Sequence, residues 1–396
     1  MASRENQPLN NFSEGISINN SYFNNKILLE KEEIIKFIDD AQLNNPLYLE
    51  SLKSLRMLEN GGFGHEDMSN LYVTFQNDKC YRTTRYKGWQ NLFCLMLYAI
   101  EKNLNKSQEN LSIIDFLSGS GTLSKRLKIL WKQEQNLPTV LGMDISEKMC
   151  QLAHENGETV FWGSCRNHCF KKHIADTVIA SYGVHHIPPQ ERKIFITSAY
   201  NILKEDGVCL IHDFLEGHPS ARWYSEIIHK YRTYGHDCKH FTEEDMFSLF
   251  SEDFSTSEVR FIYDPFCLVG QKGQDENSLK QKFFSYLISL FNLSKLLPKS
   301  VTFEQIFHYK DVSYWKDVEE IFTPYFKISQ SDINRIDHFV KETKNYEDIL
   351  HPIEVPIFEE LTVYPLFNQK IPDQATLCLV APRMAIVGIG YKGKLY

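Results

Sequence analysis

The chain lacks an excess of positive charge. Forty-three Lys and Arg stand against 51 Asp and Glu, giving a net charge of −8 and a pI near 6.0. That excludes a broad electrostatic grip on nucleic acid. The sequence also lacks an apolar run long enough to span a bilayer, and it opens on nothing that reads as a signal peptide, so the expectation is a cytoplasmic protein with no membrane partner. Nine cysteines are present, but none form a paired C-x-x-C framework. Cys165 and Cys169 stand together and Cys238 alone, which argues against structural zinc and for free thiols. No internal repeat is visible. What the chain does have is length and apolar mass: 396 residues, 42% hydrophobic and 13% aromatic, enough for a large core in two or three domains or one enlarged one.

One stretch organises the rest. An apolar run from Ile113 to Leu117 is too short for a helix and rich in strand formers. It breaks at Ser118-Gly119-Ser120-Gly121, and an amphipathic helix with Leu123, Leu127, Leu130 and Trp131 on one face follows. Strand, glycine turn and helix is the geometry in which backbone passes close to a ligand. A second strand-like run, 140–143, ends in Asp144, and Ser146 stands at a helix N-cap ahead of Met149 and Leu152. An acid at the tip of the second strand, about 20 residues past the turn, is placed to hold a nucleotide ribose. The third glycine of the dinucleotide pattern is absent, replaced by Ser124.

The residues Asp115-Phe-Leu-Ser-Gly-Ser-Gly121, followed by Asp144, resemble the first two motifs of the class I S-adenosylmethionine-dependent methyltransferases. The resemblance covers residues 70 to 270. It implies an α/β fold: a seven-stranded Rossmann-like sheet with helices on both faces, the last strand antiparallel, and S-adenosyl-L-methionine across the strand ends. It implies cofactor contacts from Tyr81, Arg82, Asp115, Ser118, Gly119, Ser120, Gly121, Asp144, Ile145, Met149, Ser164, Cys165, Ser181, Tyr182 and Gly183. Ser164 occupies the turn where the family often carries an acid for the adenine amino group.

Around this core, residues 1–25 are rich in Asn, Ser and Gln and read as a poorly ordered leader. Residues 26–108 carry helical patterning and are placed to form a lid. Within them, Tyr81-Arg-Thr-Thr-Arg85 reads either as a solvated cap or as a basic segment whose arginines meet a carboxylate of cofactor or substrate. The methyltransferase core spans 109–272, with strands expected at 159–163, 175–181, 208–211, 259–263 and 266–270. A helix after the fourth strand should turn Ile194, Phe195, Ala199, Ile202 and Leu203 inward. Residues 273–396 exceed what the core needs. They are expected to be an α+β extension that covers the substrate site or pairs two subunits as a homodimer.

Nucleic-acid amino methyltransferases often carry an Asn/Asp-Pro-Pro-aromatic motif after the fourth strand. This chain has Ser181-Tyr-Gly-Val184 and then two histidines, which points to a small-molecule acceptor. Methyl transfer requires alignment of the nucleophile and, for an oxygen or nitrogen acceptor, removal of a proton. Histidine suits that removal, so His185, His186 and His212 are the catalytic candidates. Asp213, Arg222, Tyr224, His236 and His240 are candidates for holding substrate. No metal ligand is assigned, although His212, Asp213, His236 and His240 could meet around a divalent ion in a metal-assisted C-methyltransferase of a 2-oxo acid. The same cofactor could also serve a non-methylating cyclisation or elimination, and a chain of this fold could be a binding domain without catalysis.

Overall fold

The computed structural model describes residues 85–104, 111–131, 138–163, 165, 170, 172–233, 235–236, 238–337, 355–366 and 377–393. In chain order the elements that build the central layer are α1 (Tyr86–Leu104), β1 (Ser112–Phe116), α2 (Thr122–Trp131), β2 (Thr139–Asp144), α3 (Glu147–Glu155), β3 (Val160–Trp162), β4 (Ala175–Ser181), α4 (Arg192–Ile202), β5 (Leu203–Asp213), α5 (Glu243–Ser248) and β6 (Thr256–Tyr263). Four further strands follow: β7 (Phe266–Val269), β8 (Thr362–Pro365), β9 (Leu377–Ala381) and β10 (Met384–Tyr391).

Seven strands form one sheet in the order β3-β2-β1-β4-β5-β10-β6. β1 pairs in parallel with β2 and β4, and β4 with β5. β10 runs antiparallel to both of its neighbours. Strands β1 and β4 are buried along almost their whole length, as expected where both faces of a parallel sheet are covered. On one face α1 presses Leu92, Leu95, Met96 and Ile100 against Ile113, Ile179, Leu210 and Ile389. On the other, Phe195, Ile196 and Ala199 of α4 meet Ile114, Phe116, Val178 and Ile211. The helix predicted after the fourth strand is rotated slightly from expectation: Ile194 is 52% exposed and Ile196 takes the inward place.

The seven-stranded sheet and its antiparallel member are as the resemblance implies, but the residues supplying that member differ. The strand expected at 266–270 leaves the sheet, and β7 instead joins β9 and β8 in a separate three-stranded sheet. The seventh strand of the main sheet is β10. Its glycines explain the choice. A Cβ on Gly388 would lie 2.6 Å from Met246 Sδ, and one on Gly390 would lie 2.4 Å from Phe250 Cδ1. Only a bare backbone lets α5 and the turn after it lie so close. Residues 264–383 therefore lie between the sixth and seventh strands of the sheet in chain order. The insertion has its own core, in which Phe283, Phe284 and Leu287 pack with Trp315, Val318 and Phe322, and Trp223 joins from the main layer. Among the described residues no helix is long and apolar enough to cross a membrane.

Candidate active site

The bend after β1 is held from several sides. The backbone N–H of Gly121 donates to the Ser118 carbonyl at 3.0 Å, and that of Ser118 to the Met143 carbonyl at 3.1 Å. Gly119 and Gly121 have φ of +54° and +76°, and Leu117, just before them, has φ of +60°. A leucine in that region is unusual and strained. The two glycines serve different ends. A Cβ at Gly121 would strike Glu158 at 2.7 Å, whereas one at Gly119 would meet nothing within 4 Å. Glu158 braces the bend from behind, accepting from Ser124 Oγ and Lys128 Nζ, both at 2.6 Å. Nothing in the local sequence marked Glu158 for this part.

Asp144 closes the front. Its Oδ2 accepts from the Gly119 N–H at 2.7 Å and its Oδ1 from the Ser146 N–H at 2.9 Å. Burial raises its pKa, and the N–H groups of Ser146, Gly119 and Ile145 oppose that. A carboxylate has about four lone-pair sites, so these three N–H groups leave room for a ribose hydroxyl. Behind it Asp115 is buried, with Oδ2 unpartnered, and Ser118 Oγ is likewise unpartnered. Burial first, then the charges of Asp144 and Glu158, hold the Asp115 carboxyl well above the usual range. Orphaned buried oxygens beside open space over a glycine fit the S-adenosylmethionine that the resemblance implies. Ser120 and Ile145 flank the bend, and Ser146 Oγ caps α3 by accepting from the Met149 N–H at 3.3 Å. Tyr81, Arg82 and Ser164 lie outside the described residues. Cys165 is among the buried side chains of the hydrophobic core.

Ser181 and His212 are register partners at the ends of β4 and β5, and Ser181 Oγ lies 2.8 Å from His212 Nδ1. Burial lowers the His212 pKa to about 4, and its Nε2 has no partner. Tyr182, at φ +55°, stacks against Phe214 at 4.4 Å and lies 4.2 Å from the His212 ring. Gly183 permits this, since a Cβ there would sit 2.9 Å from Leu117. The Tyr182 hydroxyl donates to Asp264 Oδ2. The same oxygen accepts from Arg85 at 2.9 Å and Arg383 at 3.2 Å. Arg85 thus meets a carboxylate, as the basic-segment reading expected, but one within the chain. Burial would raise Asp264, yet the two guanidinium groups outweigh it and hold the carboxyl below its usual value.

A second group gathers beyond β5. His185 Nδ1 lies 2.7 Å from Asp213 Oδ1, and the His185 backbone N–H donates to Asp213 Oδ2 at 3.0 Å. Around His185 stand the rings of His186 at 4.2 Å, His236 at 5.3 Å and His240 at 5.3 Å. Tyr224 borders the group, 5.4 Å from His236 and 4.2 Å from Phe214. Arg192 ties down the loops, donating to the carbonyls of Ile187, His185 and Lys239. Burial lowers the pKa of His185, His186, His236 and His240, so all four are neutral near pH 7. Burial raises Asp213, against the N–H groups of Phe214 and His185.

The sequence placed His212 with Asp213, His236 and His240. The structure puts it elsewhere, beside Ser181 and Tyr182. Consecutive residues of a strand point to opposite faces, so His212 and Asp213 cannot serve one centre. Arg222 is also apart from the group: its side chain is exposed and paired with Glu226 at 2.7 Å, an i,i+4 surface contact.

Residues 113–207 match a family model described as a methyltransferase domain. No curated protein matches the chain. Among solved structures, a phosphoethanolamine N-methyltransferase 2 of Haemonchus contortus, in complex with phosphomonomethylethanolamine and S-adenosylhomocysteine, is 13% identical with a TM-score of 0.42, over 83% of this chain and 58% of that one. A SAM-dependent methyltransferase of Archaeoglobus fulgidus is 13% identical with a TM-score of 0.36, over 77% and 94%. One from Thermotoga maritima is 18% identical with a TM-score of 0.32, over 52% and 86%. Likenesses at this level assign neither activity nor substrate.

Proposed function

We propose that the chain, whose residues 113–207 match a methyltransferase-domain model, transfers a methyl group from S-adenosylmethionine to an oxygen, nitrogen or carbon of a small molecule. The observation that carries this reading is the bend at Ser118–Gly121. It has an acid tied to its Gly119 N–H, two unpartnered buried oxygens and open space over a glycine. Bound there, S-adenosylmethionine supplies a methyl on a sulfonium leaving group. The chain's own part is to hold the sugar hydroxyls at Asp144, to leave room over Gly119, to line up the acceptor and to take its proton.

Of the three histidine candidates we assign proton removal to His212. With its own proton on Nδ1, donated to Ser181 Oγ, the ring keeps a buried Nε2 lone pair that has no partner. Burial keeps the free ring neutral near pH 7, but its pKa of about 4 makes it a weak base, so the assignment rests on the free Nε2 rather than on basicity. His185 has its Nδ1 against Asp213 and three other imidazoles around it, a setting for a different task. Tyr224, His236, His240 and Asp213 are assigned to the acceptor side, and Arg222 is not.

Calorimetry with S-adenosylhomocysteine tests the reading. Asp144→Ala should abolish measurable binding while the circular dichroism spectrum is retained. Unchanged affinity in that variant would remove the ribose assignment and with it the reading.

A further inference from the structure

We propose that the histidine nest binds one divalent transition-metal ion of the zinc or ferrous-iron class, held by His185, His186 and His236, with His240 beside them. Three observations carry this, none of which depends on methyl transfer.

The ligand atoms already converge. One ring nitrogen each from His185, His186 and His236 lie within 4.8 Å of one another, and the same holds for His185, Asp213 and His240. The residues come from three separate segments: the turn after β4, the end of β5, and the loop at 236–240. Ordinary apolar packing gives no reason for four imidazoles to meet there.

The nitrogens are also unspent. His185 Nε2 and both ring nitrogens of His236 and of His240 are buried without a hydrogen-bond partner. A buried polar group left unsatisfied is costly, and one cation would satisfy several at once. Burial keeps the rings neutral, the form that ligates.

Finally, the second layer is built. Asp213 accepts from the His185 side chain and from the backbone N–H groups of His185 and Phe214. Its Oδ1 accepts two of these bonds and its Oδ2 the third, and we assign it as the orienting carboxylate rather than a ligand. It fixes the proton of His185 on Nδ1 and aims the Nε2 lone pair into the nest, the arrangement that backs many metal-bound histidines. Imidazole ligands suit zinc, iron, copper and nickel, not magnesium or calcium.

An ion here would bind an acceptor oxygen and lower its pKa. That role rests on the proposed methyl transfer, whereas the ion site does not. The full chain, purified without chelator, would be assayed by plasma mass spectrometry, then stripped and titrated with Zn²⁺ by calorimetry and with Co²⁺ by visible absorption. The expected result is one ion per chain, lost in His185→Ala and His236→Ala. Asp213→Asn should weaken affinity by about 10–100-fold, and His308→Ala, a surface histidine elsewhere, should leave it unchanged. Absence of an ion together with no response to micromolar Zn²⁺ or Co²⁺ would overturn the proposal. So would undiminished binding in the two alanine variants. S-adenosylhomocysteine binding measured on the same samples separates the outcomes: an ion without nucleoside binding keeps the metal site and removes the transferase reading.

Discussion

At the scale of residues, Asp264 joins the most distant parts of the site. It is fully enclosed and faces two guanidinium groups and a phenol that come from residues 85, 383 and 182. Asp264→Asn would remove the carboxylate that faces Arg85 and Arg383 in the interior, and breaking such a buried ion pair costs about 3–5 kcal/mol. Urea unfolding should show that loss, together with a free Tyr182 ring. The buried imidazoles set a pH dependence. His212 and His218 are each lowered, by burial first, to about 4 from 6.5. A folded-state pKa below the unfolded one means the unfolded chain takes up protons first. Stability is then unaffected by these two groups above pH 6.5 and is lost as pH falls from there to about 4. At pH 5 the loss should be about 1–2 kcal/mol per group, read as a drop in melting temperature between pH 7 and pH 5. Asp115, Asp144 and the glycine bend were legible in the sequence because the spacing that makes them useful is local. Glu158, Asp264 and Arg383 were not, since their partners are fixed by packing between remote segments. The histidines were legible as candidates, but the grouping that included His212 ignored the two-residue alternation of β5.

At the scale of elements, β4 was read from sequence with its observed limits, because the short apolar centre Val178-Ile-Ala180, bounded by polar residues, has few other uses. β7 and β10 were exchanged. Two apolar runs separated only by Asp264-Pro265 look like neighbours in a sheet, and most consecutive strands are. Here the intervening aspartate is drawn into the core by Arg85 and Arg383, and the chain turns a corner instead of a hairpin. The glycines of β10 were the overlooked signal, for they mark where a helix packs against bare backbone. Gly390→Ala should therefore destabilise by about 1–3 kcal/mol through overpacking against Phe250 and Phe254. Thermal melts of that variant and of Gly273→Ala, whose added methyl meets nothing within 4 Å but sits at φ +81°, would separate crowding from backbone strain.

At the scale of the whole molecule, the insertion 264–383 and the main layer are stitched together by β10. Removing residues 384–393 would not trim an accessory lid. It would take out the strand between β5 and β6 and, with it, pairings along six residues of β5 and eight of β6. The truncated chain should lose its cooperative thermal transition, and a soluble, cooperatively melting product would contradict this topology.

The place of β10 also sets a timetable for synthesis. Every other described strand leaves the ribosome before it, and its partner Asp213 precedes Ile386 by well over a hundred residues. Until it arrives, β5 and β6 present two unpaired edges, the form of strand most open to capture by another chain. Closing such a distant pairing is slow. The nascent protein must therefore spend its elongation with β6 cut off from the rest of its sheet, shielded by chaperones or at risk of aggregation.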